Sequence, residues 1–145
     1  MKNKFVGIFE VDSVVKALAL CILTIGSYLI YKLYRLSTQI NKNTNLKIST
    51  LFMMTTIILF SISLASLLYA LVNPHDPVIL NYLIGIHIIS SAFDITWIIK
   101  VRNRINIIAG SSKGDKLWLN PFITSIFHVI YMQYKINQGL MKSAS

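Results

Sequence analysis

Acidic residues and cysteine are scarce in this sequence, and each shortage excludes a class of site. The 145 residues include five Asp and Glu, one Cys and three His, against 14 Lys and Arg. The single cysteine, Cys21, cannot form a disulfide within the chain or a cysteine cluster for a metal. The three His residues fall in separate regions and match no ligand motif such as His-Glu-x-x-His. We therefore predict no metal site and no cofactor.

Motifs of enzyme active sites are missing as well. The segment 110–114, Gly-Ser-Ser-Lys-Gly, lacks both the spacing and the preceding strand of a phosphate-binding loop. No Gly-x-Ser-x-Gly nucleophile turn occurs. Catalysis by paired carboxylates is disfavoured because a single carboxylate, Asp94, falls within an apolar segment. We predict no catalytic residue and a protein that is not an enzyme.

Long apolar runs are what the sequence has in abundance. Hydrophobic residues make up 54% of the chain and charged residues 13%, and the mean hydropathy is +0.62. A helix needs about 20 apolar residues to cross a bilayer core of about 30 Å. Apolar segments lie at about 17–34, 48–72, 78–99 and 117–134. We predict an all-α integral membrane protein, with a single membrane domain over residues 1–145 and four hydrophobic helical segments around a central transmembrane hairpin.

The basic residues follow the apolar segments, as they do in membrane proteins. Lys32 and Arg35 come after one segment, and Lys100, Arg102 and Arg104 come after another. Cytoplasmic loops of inner-membrane proteins carry such an excess of Lys and Arg. We therefore predict a bacterial inner membrane protein with loops 35–47 and 100–116 in the cytoplasm. The lipid bilayer is the expected partner of the net charge of +9, and nucleic acid is not.

The first and fourth segments share a pattern at an offset of 100 residues. The pattern is a Thr, then a Tyr seven residues later, then a second Tyr followed directly by a basic residue. The matched pairs are Thr24 and Thr124, Tyr31 and Tyr131, Tyr34 and Tyr134, and Arg35 and Lys135. Coincidence among interfacial residues is the competing explanation, because membrane proteins enrich these residue types at segment ends.

This pattern resembles a bacterial family known only as domain-of-unknown-function family 4234. The first copy reads Thr24-Ile25-Gly26-Ser27-Tyr28 and ends near Asn41, and the second copy ends at Asn137. The second copy has Phe127-His128 where the family favours Gly and Tyr, and neither copy has the family's Trp. The resemblance implies a small bacterial integral membrane protein and implies no activity.

Two topologies are compatible with the sequence. In the first, all four segments cross the membrane. In the second, only the central hairpin, with its turn at Asn73–Pro77, crosses the membrane. The first and fourth segments then enter the membrane and return, or lie along its interface. Gly26 and Asn120-Pro121 are the candidate breaks for such segments. The second topology places all 14 basic residues on one side.

A polar stripe interrupts the third segment. His87 and Asp94 are seven residues apart and share a helix face, with Ser90 and Ser91 between them. An ionisable residue inside a span marks a functional site by default. A salt bridge from Asp94 to Lys32, Arg35 or Lys47 and hydrogen bonds between helices are the structural explanation. A path for protons or cations is the functional one.

The second segment carries a face of small residues that favours close helix packing. Its members are Ser61, Ala65, Ser66 and Ala70. The third segment is the natural neighbour for this face, and a second chain is the alternative. Aromatic and basic residues at segment ends predict an interfacial belt that contacts lipid headgroups. The members of this belt are Tyr31, Tyr34, Arg35, Tyr131, Tyr134 and Lys135.

These features favour a non-enzymatic accessory or assembly subunit that packs against other membrane-protein subunits or against itself. The alternative hypothesis is a small oligomeric ion or proton channel that uses Asp94 and His87. A third hypothesis is membrane remodelling by short wedge-like segments.

Overall fold

The computed structural model describes residues 5–73 and 77–141, which form five α-helices and no strand. The all-α prediction is therefore confirmed for this part of the chain, while the middle of the predicted Asn73–Pro77 turn lies outside it. The helices are α1 (Val14–Leu23), α2 (Ser27–Asn43), α3 (Thr50–Val72), α4 (Pro77–Ala109) and α5 (Pro121–Met141).

Two of these helices are long and apolar enough to span a membrane. They cover Thr50–Val72 and Tyr82–Ala109, and only 17% and 22% of their apolar windows are buried within the protein. At about 1.5 Å per residue, α3 is about 35 Å long, which exceeds a bilayer core of about 30 Å. α4 continues ten residues past the predicted end at Ile99, so the first part of the predicted basic loop is helical.

The first apolar segment is broken into two helices at Gly26, one of the two candidate breaks. Ile25 and Gly26 both have positive φ angles, 50° and 82°. The Gly26 N–H donates to the carbonyl of Cys21 at 2.9 Å, and the Ile25 N–H donates to that of Ile22 at 3.3 Å. These are the two bonds of a Schellman motif, which ends a helix. α2 then continues to Asn43, so most of the predicted loop 35–47 is helical.

The fourth apolar segment is also broken, but at another residue than the sequence suggested. Asn120 and Pro121 start α5: the Asn120 side chain accepts from the Phe122 N–H at 2.9 Å, and proline is favoured at the first helical position. The break lies at His128, with φ 47° and ψ −133°. Each apolar segment outside the hairpin is thus a helix, a break and a second helix.

The chain divides into two compact units. Unit 1 comprises residues 1–48 and 98–145, and unit 2 comprises residues 49–97. In unit 1, α1, α2 and α5 pack on one another. The ring of Phe5 is fully buried and lies where a side chain at Gly139 of α5 would have to sit. Buried side chains of unit 1 include Leu33, Leu36, Ile40, Ile105, Leu119, Met132 and Ile136.

Unit 2 is the hairpin of α3 and the first part of α4. The rings of Phe52 and Phe93 stack with their centroids 5.8 Å apart, and Trp97 is fully buried. Met53, Thr56 and Ser63 are the buried residues of α3. Their spacing of three and seven residues places them on one side of the helix.

Candidate functional site

The polar stripe of α4 divides between two environments in unit 2. His87 Nδ1 forms a hydrogen bond with the hydroxyl of Ser63 on α3. Ser90 is buried, Asp94 is half-buried, and Ser91 is exposed. The predicted hydrogen bonding between helices therefore involves His87, while Ser91 faces away from the interior of the unit.

Two polar atoms of the stripe are buried and have no hydrogen-bond partner among the residues that the structure describes. They are Nε2 of His87 and Oδ1 of Asp94. Seven residues of helix separate the two side chains by about 10 Å, which is too far for a direct hydrogen bond. Lys32 and Arg35, which the sequence offered as partners of Asp94, form ion pairs with Asp12 and Glu10.

The small-residue face of α3 is only partly covered in unit 2. Ser61 and Ala65 are exposed, and Ser66 and Ala70 are half-buried. The hydroxyl of Ser61 donates to the Ile57 carbonyl of its own helix at 2.8 Å. Since Ser63 makes the hydrogen bond within the hairpin, the interpretation that Ser61 and Ala65 pack on the neighbouring span does not hold for these two residues.

Ser61 and Ala65 lie at the centre of a longer exposed row on α3. Successive members are separated by four and three residues alternately, which is the spacing of a helix-packing seam. The row, which we call the α3 outer row, comprises Met54, Ile58, Ser61, Ala65, Leu68 and Val72.

An ionic cluster in unit 1 joins the N-terminal arm, residues 5–12, to α2. Lys32 is 2% exposed, and its ammonium group contacts Oδ2 of Asp12. Arg35 contacts Asp12 at 3.3 Å and also pairs with Glu10. The hydrogen bond and positive charge of Lys32 lower the pKa of Asp12 below its ordinary value, against the opposing effect of burial. The sequence did not single out Glu10 or Asp12.

Three asparagine side chains in unit 1 each bind the backbone of a distant residue at both its N–H and its C=O. In each case the amide oxygen accepts from the N–H and the amide nitrogen donates to the carbonyl. The pairs are Asn41 with Ile48 (2.7 and 2.8 Å), Asn106 with Leu119 (2.8 and 3.4 Å), and Asn137 with Asp12 (3.3 and 2.7 Å).

These asparagine clamps share a position relative to the helices. Ile48, Leu119 and Asp12 each lie directly before the residue that caps α3, α5 or α1. A residue in that position has no helical partner for its backbone groups. The first copy of the sequence pattern ends near Asn41 and the second ends at Asn137, so the repeat gave a signal for both residues. No pattern marked Asn106.

The second half of α5 holds the arm through one further side chain. Gln133 is 1% exposed, and its amide nitrogen donates to the Glu10 carbonyl at 3.1 Å and to Asn137 Oδ1 at 2.8 Å. The arm is therefore bound by α2 through charge and by α5 through amides.

The predicted interfacial belt is mixed in its exposure. Tyr31, Tyr34 and Tyr134 are exposed, whereas Tyr131 is half-buried under the ammonium group of Lys135, 5.6 Å from the ring centre. Lys135 also donates to the Lys116 carbonyl at 2.6 Å. The structure therefore brings Tyr131 and Lys135 together and holds Arg35 in the ionic cluster.

The helix halves that precede the two breaks expose large apolar side chains. Such side chains on an outer helix surface are what the acyl region of a bilayer accepts. The exposed members are Val15, Leu18, Ile22 and Leu23 on α1, and Phe122, Ile123, Ile126 and Phe127 on α5.

No protein-family model matches the chain, and no curated protein or solved structure matches it. In the residues that the structure describes, no group of three His, Cys, Asp or Glu side chains is placed to hold a metal ion.

Proposed function

We propose that the protein is a non-enzymatic accessory or assembly subunit of a bacterial inner membrane, which packs against other membrane-protein subunits or a second copy of itself. The observation that carries this proposal is the exposure of Ser61 and Ala65 at the centre of the α3 outer row. Small side chains at this spacing let a second helix approach the backbone closely.

The contacts within unit 2 support this use of α3. The hairpin buries Thr56 and Ser63 and forms its hydrogen bond between Ser63 and His87. The α3 outer row is thus left over after the hairpin has formed. Lipid can cover such a row, but the small side chains of Ser61 and Ala65 give lipid no special advantage. A second helix can approach closely there and gain van der Waals contact.

The topology we propose for this subunit has two crossings, by α3 and α4. α1 has ten residues and the first half of α5 has fewer, so that each is at most about 15 Å long, half of a bilayer core. Both segments would enter the membrane and return, with loops 35–47 and 100–116 in the cytoplasm. A reporter fused after Ser145 should then be cytoplasmic, and a periplasmic signal would contradict this topology.

Cysteine cross-linking in membranes tests the proposed packing face. The chain has one cysteine, so a Cys21→Ser background accepts new cysteines one at a time. Ala65→Cys should give a discrete cross-linked product, and its mass would distinguish a second copy from another subunit. Leu67→Cys is the matched control, because Leu67 is exposed but lies about 160° around the helix from Ala65. Equal cross-linking of both variants would mean random collision and would contradict the proposal.

A small ion or proton channel is the second candidate, supported by the unpartnered atoms of His87 and Asp94. Purified Asp94→Asn protein in liposomes separates the two functions. If it assembles normally but loses ion flux that the parent protein shows, the channel is supported and the accessory function fails. If it loses only expression or co-purifying subunits, the channel fails.

A further inference from the structure

Unit 1 contains an open cavity of about 610 Å³ between the N-terminal arm and α2. We call it the arm–α2 cavity. Its lining residues include Gly7, Glu10, Tyr31, Tyr34, Arg35 and Lys42. Its volume lies within the range of about 300–1,000 Å³ found for small-molecule sites. It is separate from the polar stripe and from the α3 outer row.

The charged groups of the cavity favour an anion. Arg35 and Lys42 are seven residues apart on α2, so both side chains leave the same face of the helix. Among the described residues that line the cavity, Glu10 is the one carboxylate. Lys42 is exposed, and two cations against one carboxylate leave a net positive site.

The ion pair between Arg35 and Glu10 is one that an incoming anion can replace. Glu10 is 67% exposed, and pairs between exposed charges are worth little in water. Arg35 retains Asp12 at 3.3 Å when Glu10 is displaced, so the arm stays attached. A guanidinium group matches phosphate oxygens with two parallel hydrogen bonds, which an exposed carboxylate held by one nitrogen does not provide.

Two tyrosines indicate where the anion comes from. Tyr31 and Tyr34 line the cavity and are 55% and 39% exposed. Partly exposed tyrosine rings beside basic residues are typical of the headgroup level of a membrane, where the ring contacts lipid and the hydroxyl group contacts water. α1, which precedes α2 in the chain, exposes Ile22 and Leu23 as an acyl-chain contact would require.

We propose that the arm–α2 cavity binds the phosphodiester of an anionic glycerophospholipid. The phosphate displaces Glu10 from Arg35, accepts a second contact from Lys42, and lies beside the rings of Tyr31 and Tyr34. This inference rests on the membrane location in the proposed function, but it does not depend on a partner subunit at the α3 outer row.

Native mass spectrometry of the full chain in mild detergent measures this binding directly. Phosphatidylglycerol should form a discrete adduct, and diacylglycerol with the same acyl chains, which lacks the phosphate, should not. Lys42→Ala should weaken the phosphatidylglycerol adduct about fivefold, the effect expected of one lysine at an anionic lipid surface. Lys113→Ala is the matched control, since Lys113 is an exposed lysine outside the cavity. Equal weakening by both variants would overturn the site.

Glu10→Gln gives the sharper result because a purely structural role predicts the opposite sign. If Glu10 competes with phosphate for Arg35, removing its charge should strengthen the phosphatidylglycerol adduct severalfold. Weaker binding in this variant would overturn the proposal. Inorganic phosphate added to the phosphatidylglycerol adduct tests the source of the anion. If phosphate displaces the lipid at equal concentration, the lipid assignment is overturned. None of these outcomes affects the Ala65 cross-link, so the two proposals fail independently.

Discussion

The two units of the chain satisfy their backbone and polar groups by different means. Unit 2 is a pair of long helices, whose interior backbone groups bond along each helix, and among the described residues the side chains of Ser63 and His87 bond across it. Unit 1 consists of shorter and broken helices, and a broken helix has more unsatisfied ends. The backbone groups beside its helix ends are bound by side chains of other segments, among them Asn106 and Asn137, and Lys32 binds the Asp12 carboxylate that precedes α1. Length and composition suffice for the hairpin, whereas unit 1 requires particular residues.

Asp12→Asn should produce the largest loss of stability, because it removes the partner of the buried Lys32 ammonium. Breaking a buried ion pair from one side costs about 3–5 kcal/mol, and the partial exposure of Asp12 favours the lower end, about 3 kcal/mol. Denaturant unfolding in detergent, followed by Trp118 fluorescence in a Trp97→Phe background, measures it for unit 1. Glu10→Gln should cost less than about 1 kcal/mol, because its pair with Arg35 is exposed. Equal losses of unfolding free energy in Asp12→Asn and Glu10→Gln would show that the burial of Lys32 does not set the size of the effect.

The same pair predicts how the stability of unit 1 depends on pH. The pKa of Asp12 is lowered in the folded protein, so its contribution is fully present above the ordinary pKa of 3.8. That contribution is lost as the pH falls below this value toward the folded pKa. The difference in unfolding free energy between the parent protein and Asp12→Asn should therefore shrink as the pH falls below about 4. A difference that stays constant down to pH 2 would contradict this assignment.

Asn106→Ala tests an asparagine clamp that contains no charge. The substitution leaves the N–H and the C=O of Leu119 without partners in a buried position, at a cost of about 2 kcal/mol. Asn103→Ala is the matched control, since Asn103 is an exposed asparagine of the same helix. The same Trp118 unfolding measurement applies. If both substitutions cost equally little, the asparagine clamps do not stabilise unit 1.

The sequence predicted the hairpin and offered Gly26 as a candidate break in one of the two topologies, because apolar length and a glycine are local signals. It did not predict the break at His128, since a non-glycine residue with positive φ has no local pattern. The repeat marked Asn41 and Asn137, but it did not indicate that Asn137 pairs with Asp12, which is 125 residues away along the chain. A periodic sequence pattern indicates local structure and not contacts between such distant residues. The ionic cluster could not be predicted for the same reason, because it joins the arm to α2.

Ser63→Ala should have the smallest effect, and it completes the comparison from the side of unit 2. It removes the one hydrogen bond between Ser63 and His87, and such bonds between membrane helices are worth about 0.6 kcal/mol on average. Ser61→Ala is the matched control, because the Ser61 hydroxyl bonds only a carbonyl of its own helix. Unfolding in detergent, followed by Trp97 fluorescence in a Trp118→Phe background, should give a loss for Ser63→Ala of less than about 1 kcal/mol. A loss as large as that of Asn106→Ala would mean that polar contacts hold unit 2 as they hold unit 1. A small loss would mean that the hairpin is stabilised by its apolar length and packing, which leaves His87 free to change partners without unfolding α3 and α4.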